Sequence, residues 1–470
     1  MGKRAQKAQA VDPQDLATES GAYRTPWRRP AGRKPGPAPE CQTFGEYLKA
    51  VVAHCFPELI DWLDALPDPR RQDMCVYTGA HLWFEILLTF LLRGGSRNAF
   101  DVDRNSGAMP GNMLQLCGQA WDEARLGPRQ TVTCSGNATH HAGRVPVADV
   151  AQIPLKMVRR LLQMRLLDSA RLLDSWWLIA VDGTLQERGR KRKGKAAHYR
   201  YVLTASLIGP EGLTLPLLTE FVEVRGSDYD KEDCELNAFV RLAARLQRHF
   251  PRLPLCLLAD GLYPVQRVFD LCQEYGWKFI FTLREGRQRL AYDEAVQTML
   301  MNPQNLSIGR RQGEDGSVDQ TLRWTDHIPF GAHRLQVLFS GEVSPAQATL
   351  WVWVTNLHLD ASRVYAIANH GGRLRQWIET LFNVEKNGGF GLEHTFCVNE
   401  TASQNYHLIM QAAAIVWQLL AKGLLHRLTR LCRKVTDIKL VALLHASLLF
   451  VPLPRLPSPR IQLRFLPAPG

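Results

Sequence analysis

No stretch of this chain is long and apolar enough to cross a bilayer. The longest hydrophobic runs, Leu82–Leu92 and Leu408–Ala421, are broken by Glu85 and by Gln411 and Gln418. Both fall short of the ~20 residues that a spanning helix needs. No apolar segment follows the basic N-terminus, so a secretory leader is not expected. The ten cysteines are scattered singly, with no CxxC pair. That spacing argues against a disulfide framework or structural zinc and for free thiols in a reducing, cytoplasmic setting. His198, His394 and His407 lie too far apart to suggest a zinc hydrolase and are expected to be hydrogen-bonded structural residues. No convincing Ser/His/Asp set, catalytic Tyr or internal repeat is visible.

What is present is a folded chain with a basic excess. It has 470 residues, 46% hydrophobic and 22% charged, which suits two or three globular domains. Lys and Arg number 57 against 45 Asp and Glu, a net charge of +12. Such an excess favours a polyanionic partner, and the lack of a spanning segment favours nucleic acid over membrane.

Residues 1–40 read as a flexible, basic, Pro-rich tail. From 41 to 170 the apolar spacing is helical at Phe44–Phe56, Ala80–Leu92 and Val150–Leu167. Gly94–Arg144 between them is polar and reads either as a loop or as an irregular binding segment. Residues 171–425 read as a mixed α/β sheet with flanking helices. Apolar runs at Trp176–Val181 and Leu253–Ala259 predict buried strands ending at Asp182 and Asp260. Tyr199–Leu207 and Leu213–Val224 flank Gly209-Pro210-Glu211-Gly212 as a hairpin. Helices are expected at Lys231–Phe250 and Pro264–Tyr275, with strands at Lys278–Leu283 and Leu350–Thr355. A mostly β insertion is expected over about 284–348, and a helical region from Ser362 to about Leu425. Residues 426–470 form a basic, Pro-rich end with no acid after Asp437. Trp176 and Trp177 read as core, and Trp324 and Trp377 as core or stacking residues.

Asp182 and Asp260 each follow a predicted buried strand and precede a glycine. The carboxyl ends of α/β strands are where ligand sites form. Two acids held side by side repel unless a cation separates them, and Mg²⁺ prefers such oxygen ligands. Each Asp-Gly could equally be an ordinary turn. The third element is the helix carrying Arg375, Glu379 and Lys386. At ~100° per residue these fall near 0°, 40° and 20°, one narrow stripe. Glu385 points about 120° away from Glu379 and is the poorer candidate. A stripe of cation, acid and cation suits a metal-held phosphodiester, although an Arg–Glu pair at i,i+4 can also be simply solvated.

The order Val181-Asp182-Gly183-Thr184, Leu258-Ala259-Asp260-Gly261-Leu262-Tyr263, Arg375-x3-Glu379-x6-Lys386 resembles the signature blocks of DDE transposases of the insertion-sequence-four group. That family's last block is Tyr-x2-Arg-x3-Glu-x6-Lys, and here Gly372 stands at the Tyr position. Gly391-Leu392-Glu393-His394-Thr395-Phe396 and Asn405-Tyr406-His407 agree with the resemblance, which spans roughly Trp176 to Leu420. It implies a ribonuclease H-like catalytic sheet, with the β insertion before Glu379. It further implies that Asp182, Asp260 and Glu379 are catalytic and hold two Mg²⁺ ions, with Mn²⁺ able to substitute. Cleavage and strand transfer at insertion-sequence ends follow from it, as does a homodimer on double-stranded DNA. Arg375 and Lys386 would steady phosphates, and the cations Arg188, Arg190, Lys191, Arg192, Lys193, Lys195 and Arg200 would touch the DNA backbone. The tail and the 41–170 helices are candidates for binding the DNA ends. A transposase-derived DNA-binding protein without activity is the alternative. A metal-dependent phosphatase for small substrates fits less well, since it needs neither the charge excess nor the tail.

Overall fold

The computed structural model describes residues 41–188, 199–224, 231–313, 316–345, 347–424, 436–455, 461 and 463. The expected tail, Arg190, Lys191, Arg192, Lys193 and Lys195 of the basic loop, and much of the Pro-rich end lie outside the described residues. Nine helices among the described residues run to nine residues or more. They are α1 (Phe44–Cys55), α2 (Gly79–Leu91), α3 (Gln152–Gln163), α4 (Lys231–His249), α5 (Gln266–Glu274), α6 (Arg289–Met301), α7 (Gln376–Asn387), α8 (Glu400–Gln418) and α9 (Asp437–Phe450). The strands are β1 (Trp177–Arg188), β2 (Tyr199–Ile208), β3 (Thr214–Val224), β4 (Leu255–Ala259), β5 (Lys278–Thr282), β6 (Leu306–Gly313), β7 (Gly316–Phe330), β8 (His333–Val343) and β9 (Ala348–Thr355).

All nine strands join one mixed sheet in the order β3-β2-β1-β4-β5-β9-β8-β7-β6. β1 pairs antiparallel with β2 and parallel with β4, and β4 pairs parallel with β5. The central strands are apolar on both faces because both faces are covered. Trp177, Ile179 and Val181 of β1, with Leu255, Leu257 and Ala259 of β4, enter the larger core. The alternate residues Leu178, Ala180, Cys256 and Leu258 enter a smaller one with Val364, Ile367, Ile378 and Phe382. The larger core continues without a break from α1 and α2 through α8 to α9. No helix among the described residues is long and apolar enough to cross a membrane.

Several expectations needed correcting. Gly94–Arg144 holds short helices, including Arg97–Asp103, Met109–Leu116 and Ser135–Ala142. The mostly β 284–348 segment opens with the helix α6, and its strands β6, β7 and β8 extend the main sheet through β9, which pairs with β5. The Ser362–Leu425 region is broken: a helix at Val364–Asn369, a 3₁₀ turn at Gly372–Arg375, then α7 and α8. α7 turns Ile378, Leu381, Phe382 and Glu385 inward, at i, i+3, i+4 and i+7. That stripe seats α7 on the sheet and leaves Glu379 on its flank.

Candidate active site

Asp182 does not end its strand. β1 runs on to Arg188 because β2 pairs with it throughout, whereas its parallel partner β4 stops at Ala259. Asp182 therefore stands two residues past the last parallel rung, Ala180 with Leu258. At that register it is level with Asp260, on strands about 4.8 Å apart. Side chains alternate along a strand, so both acids share the face of the smaller core, the face on which α7 lies.

Each acid is tied locally. The Gly183 N–H donates to Asp182 Oδ1 at 2.9 Å, and the Leu262 N–H donates to Asp260 Oδ1 at 2.9 Å. The turn reading of Asp260-Gly261 is thus correct, yet it uses one oxygen and leaves Oδ2 to face Arg284, 3.9 Å away. Gly261 makes this approach feasible, since a Cβ there would come within 2.9 Å of the Arg284 stem.

Arg375 closes the group. Its Nη1 lies 3.4 Å from Asp182 Oδ2, and its Nη2 donates to the Glu379 carboxylate. One guanidinium therefore bridges acids that are 197 residues apart in sequence, from 182 to 379. Burial pushes the Asp182 carboxyl up to about 6, against the pull of Arg375 and the Gly183 N–H, and Asp260 and Glu379 raise it further. All three carboxylates therefore act on one locus, with Arg375 as the cation between Asp182 and Glu379.

Lys386 is not part of it. Its Nζ pairs with Glu393 Oε1 at 3.1 Å. The stripe that groups it with Glu379 is angular only, because seven residues of helix separate the two by about 10 Å along the axis. Arg188 is described only as the last residue of β1, and Arg200 lies half-buried in β2. Gly372 has a packing reason. A Cβ there would lie 2.6 Å from Trp353 Cε2, so the β9 indole occupies the space that a tyrosine would need.

Sequence reasoning missed Arg284. The signal was available, since it lies just past the carboxyl end of β5, next to β4. Trp177 and Trp324 are core residues. His407 is fully buried, and burial pushes its imidazole down to about 3.

Among the described residues, no three His, Cys, Asp or Glu side chains stand close enough to hold a metal as they are. The donor set nonetheless fits a hard divalent cation: three carboxylates, no sulfur or imidazole, and a charge deficit now met by a guanidinium. No protein-family model matches the chain, and no curated protein matches it.

Proposed function

We propose that this protein is a DDE transposase: a metal-dependent enzyme that cuts DNA at insertion-sequence ends and joins the ends to a target. The observation that carries the reading is the Arg375 bridge from Asp182 to Glu379, with Asp260 acting on the same locus. Acids from three distant blocks of sequence lie on one face of the sheet beside the carboxyl end of β4, two of them bridged by Arg375. The mixed sheet with helices on both faces supports a ribonuclease H-like reading of the catalytic region.

In this reading Asp182, Asp260 and Glu379 hold two Mg²⁺ ions, with Mn²⁺ able to substitute. Bound there, the ions supply activation of the attacking oxygen and neutralisation of the leaving oxygen. Arg375 would bind the scissile phosphate, where a guanidinium can hold two oxygens at once. Arg284, beside Asp260, would hold a neighbouring phosphate. The basic loop, with Arg190, Lys191, Arg192 and Lys193, and the N-terminal tail supply cations for the DNA backbone. Strand transfer needs two ends held together, which calls for a homodimer on double-stranded DNA. The protein would act in the cytoplasm. The guanidinium between the acids also favours a second reading, in which Arg375 permanently satisfies them and the protein binds DNA without cutting it.

The deciding experiment uses the purified protein and a duplex carrying the inverted repeats that flank its own gene. Cleavage at the repeat boundary in Mg²⁺, absent in chelator and in Asp182→Ala, supports the enzyme. Tight, salt-sensitive binding with no cleavage supports the second reading. Undiminished cleavage in chelator overturns the metal mechanism.

A further inference from the structure

Behind the acid pair, on the opposite face of the sheet, one buried carboxylate holds two phenols. Glu235, in the second turn of α4, accepts the Tyr201 hydroxyl on Oε2 at 2.6 Å and the Tyr263 hydroxyl on Oε1 at 3.1 Å. All three residues are buried, Tyr263 completely. Tyr263 comes from the turn that begins at Asp260, and Tyr201 from β2, the antiparallel partner of the strand that carries Asp182.

Tyr201 lies on β2 opposite Leu185, two residues along β1 from Gly183. A Cβ on Gly183 would overlap the Tyr201 hydroxyl, so the glycine after Asp182 makes room for a phenol rather than for a turn. Tyr263 is the fourth residue of the turn that begins at Asp260, and its N–H donates to the Asp260 carbonyl at 3.3 Å. Its ring packs edge-on against Phe239 of α4 at 5.2 Å, which fixes the direction of its hydroxyl. Glu235 therefore ties β2, which pairs with the Asp182 strand, and the Asp260 turn to the same helix.

We propose that Glu235 is a positioning residue for the acid pair, fixing the spacing of Asp182 and Asp260 through the Tyr201 and Tyr263 hydroxyls. The proposal rests on reading those aspartates as the cation-holding pair. Groups that orient ligands from behind typically change metal affinity by about 10–100-fold when removed. A residue that merely fills the core lowers the unfolding temperature and leaves the affinity of the folded protein alone.

The test is Mn²⁺ titration by calorimetry into the full chain without DNA, with thermal unfolding in parallel. The wild-type chain binds Mn²⁺ and Asp182→Asn does not. Glu235→Gln is expected to weaken binding by about tenfold or more. Tyr201→Phe and Tyr263→Phe each weaken it less, and the double variant is no worse than Glu235→Gln, since all three act through one carboxylate. In cleavage, the Mn²⁺ requirement rises while KM for DNA stays unchanged. Wild-type affinity in Glu235→Gln overturns the positioning role and leaves the acid site standing. Should Glu235→Gln fail to fold, unchanged affinity in both phenylalanine variants overturns it equally. A wild-type chain that binds no Mn²⁺, or an Asp182→Asn that binds as well, removes the acid-site reading and this proposal with it.

Discussion

Glu379 and Glu385 sit six residues apart on α7 and meet opposite surroundings. The Glu379 side chain is about half exposed (54%) and is engaged by Arg375. Glu385 is wholly buried, and neither of its carboxylate oxygens has a hydrogen-bond partner among the described residues. Burial alone pushes its carboxyl up to about 8. Glu85 of α2 is in the same state, pushed up to about 9 by burial first and by Asp101 and Cys134 after it. An acid that is to hold a cation must stay ionised, and that requires solvent or a counter-charge. An acid walled in by side chains stays neutral instead. The contrast separates a site from a core with two uncharged glutamates in it, and it can be broken by substitution.

The largest expected difference is in cleavage. Glu379→Gln should lower it by three orders of magnitude or more, as removal of a unit of the catalytic group does (on the order of 10³ or greater). Glu385→Gln should leave it within about threefold, since it only replaces one neutral side chain by another. DNA binding by gel shift should be similar in both. If the two variants lost equal activity, α7 would matter as a whole and the distinction between its faces would fail.

A smaller effect concerns Arg375. Arg375→Ala leaves Asp182 and Glu379 facing each other without their shared cation. In metal-free buffer it should cost about 1.5–3 kcal/mol of stability, the range for hydrogen bonds to charged groups. Mg²⁺ should then raise the unfolding temperature of the variant more than that of the wild-type protein, because the ion takes the place of the guanidinium. Equal stabilisation by Mg²⁺ would mean that Arg375 and the ion do not share the locus.

The pH dependence of stability sharpens the comparison from the buried side. The Glu385 carboxyl keeps its proton in the folded chain up to about 8. An unfolded glutamate loses it above about 4.3. Unfolding therefore releases a proton throughout that window, and stability falls as pH rises, by on the order of 1 kcal/mol per unit. Glu85 adds the same slope up to about 9. Each Glu→Gln variant should match the wild-type protein near pH 4 and exceed it at pH 8, with a flatter profile between. A wild-type profile that rises from pH 5 to pH 8 and is unaltered by both substitutions would mean that these carboxyls ionise in place.

Much of this was legible in the sequence, and each miss has its own physical cause. Apolar runs located β4 and β5 because strands buried on both faces must be apolar throughout. The same rule misled at Asp182, because β1 outlasts β4 by pairing with β2 alone, and a strand with one partner need not stay apolar. Helix α6 escaped because only Ala291 and Ala295 are buried, while Leu290, Leu300 and Met301 are exposed, which blurs the apolar stripe. Arg375 and Glu379 were within reach because i,i+4 neighbours touch by geometry alone. Glu235, Tyr201 and Tyr263 were not, since long-range pairing of one acid with two phenols leaves no spacing to read. Helical angle alone grouped Lys386 with Glu379, whereas seven residues of rise set the two about 10 Å apart along α7.

Lys386 gives the smallest effect, and it decides whether the cation stripe has any meaning. Its pairing with Glu393 joins two partly solvated side chains, 29% and 51% exposed, a kind of contact worth roughly 0–1 kcal/mol. The lysine could release that partner at little cost if DNA ran along α7. A phosphate contact releases about one counterion, so the slope of log affinity against log salt would fall by about one in Lys386→Ala. The structure places the ammonium about two helical turns from Glu379, so the expected result is an unchanged slope and cleavage within about threefold of wild type. In Arg375→Ala cleavage should fall much further. A slope reduced by one would extend the DNA path down the whole face of α7, from the acids to Glu393, and would join the two cations that the folded chain now keeps on separate acids.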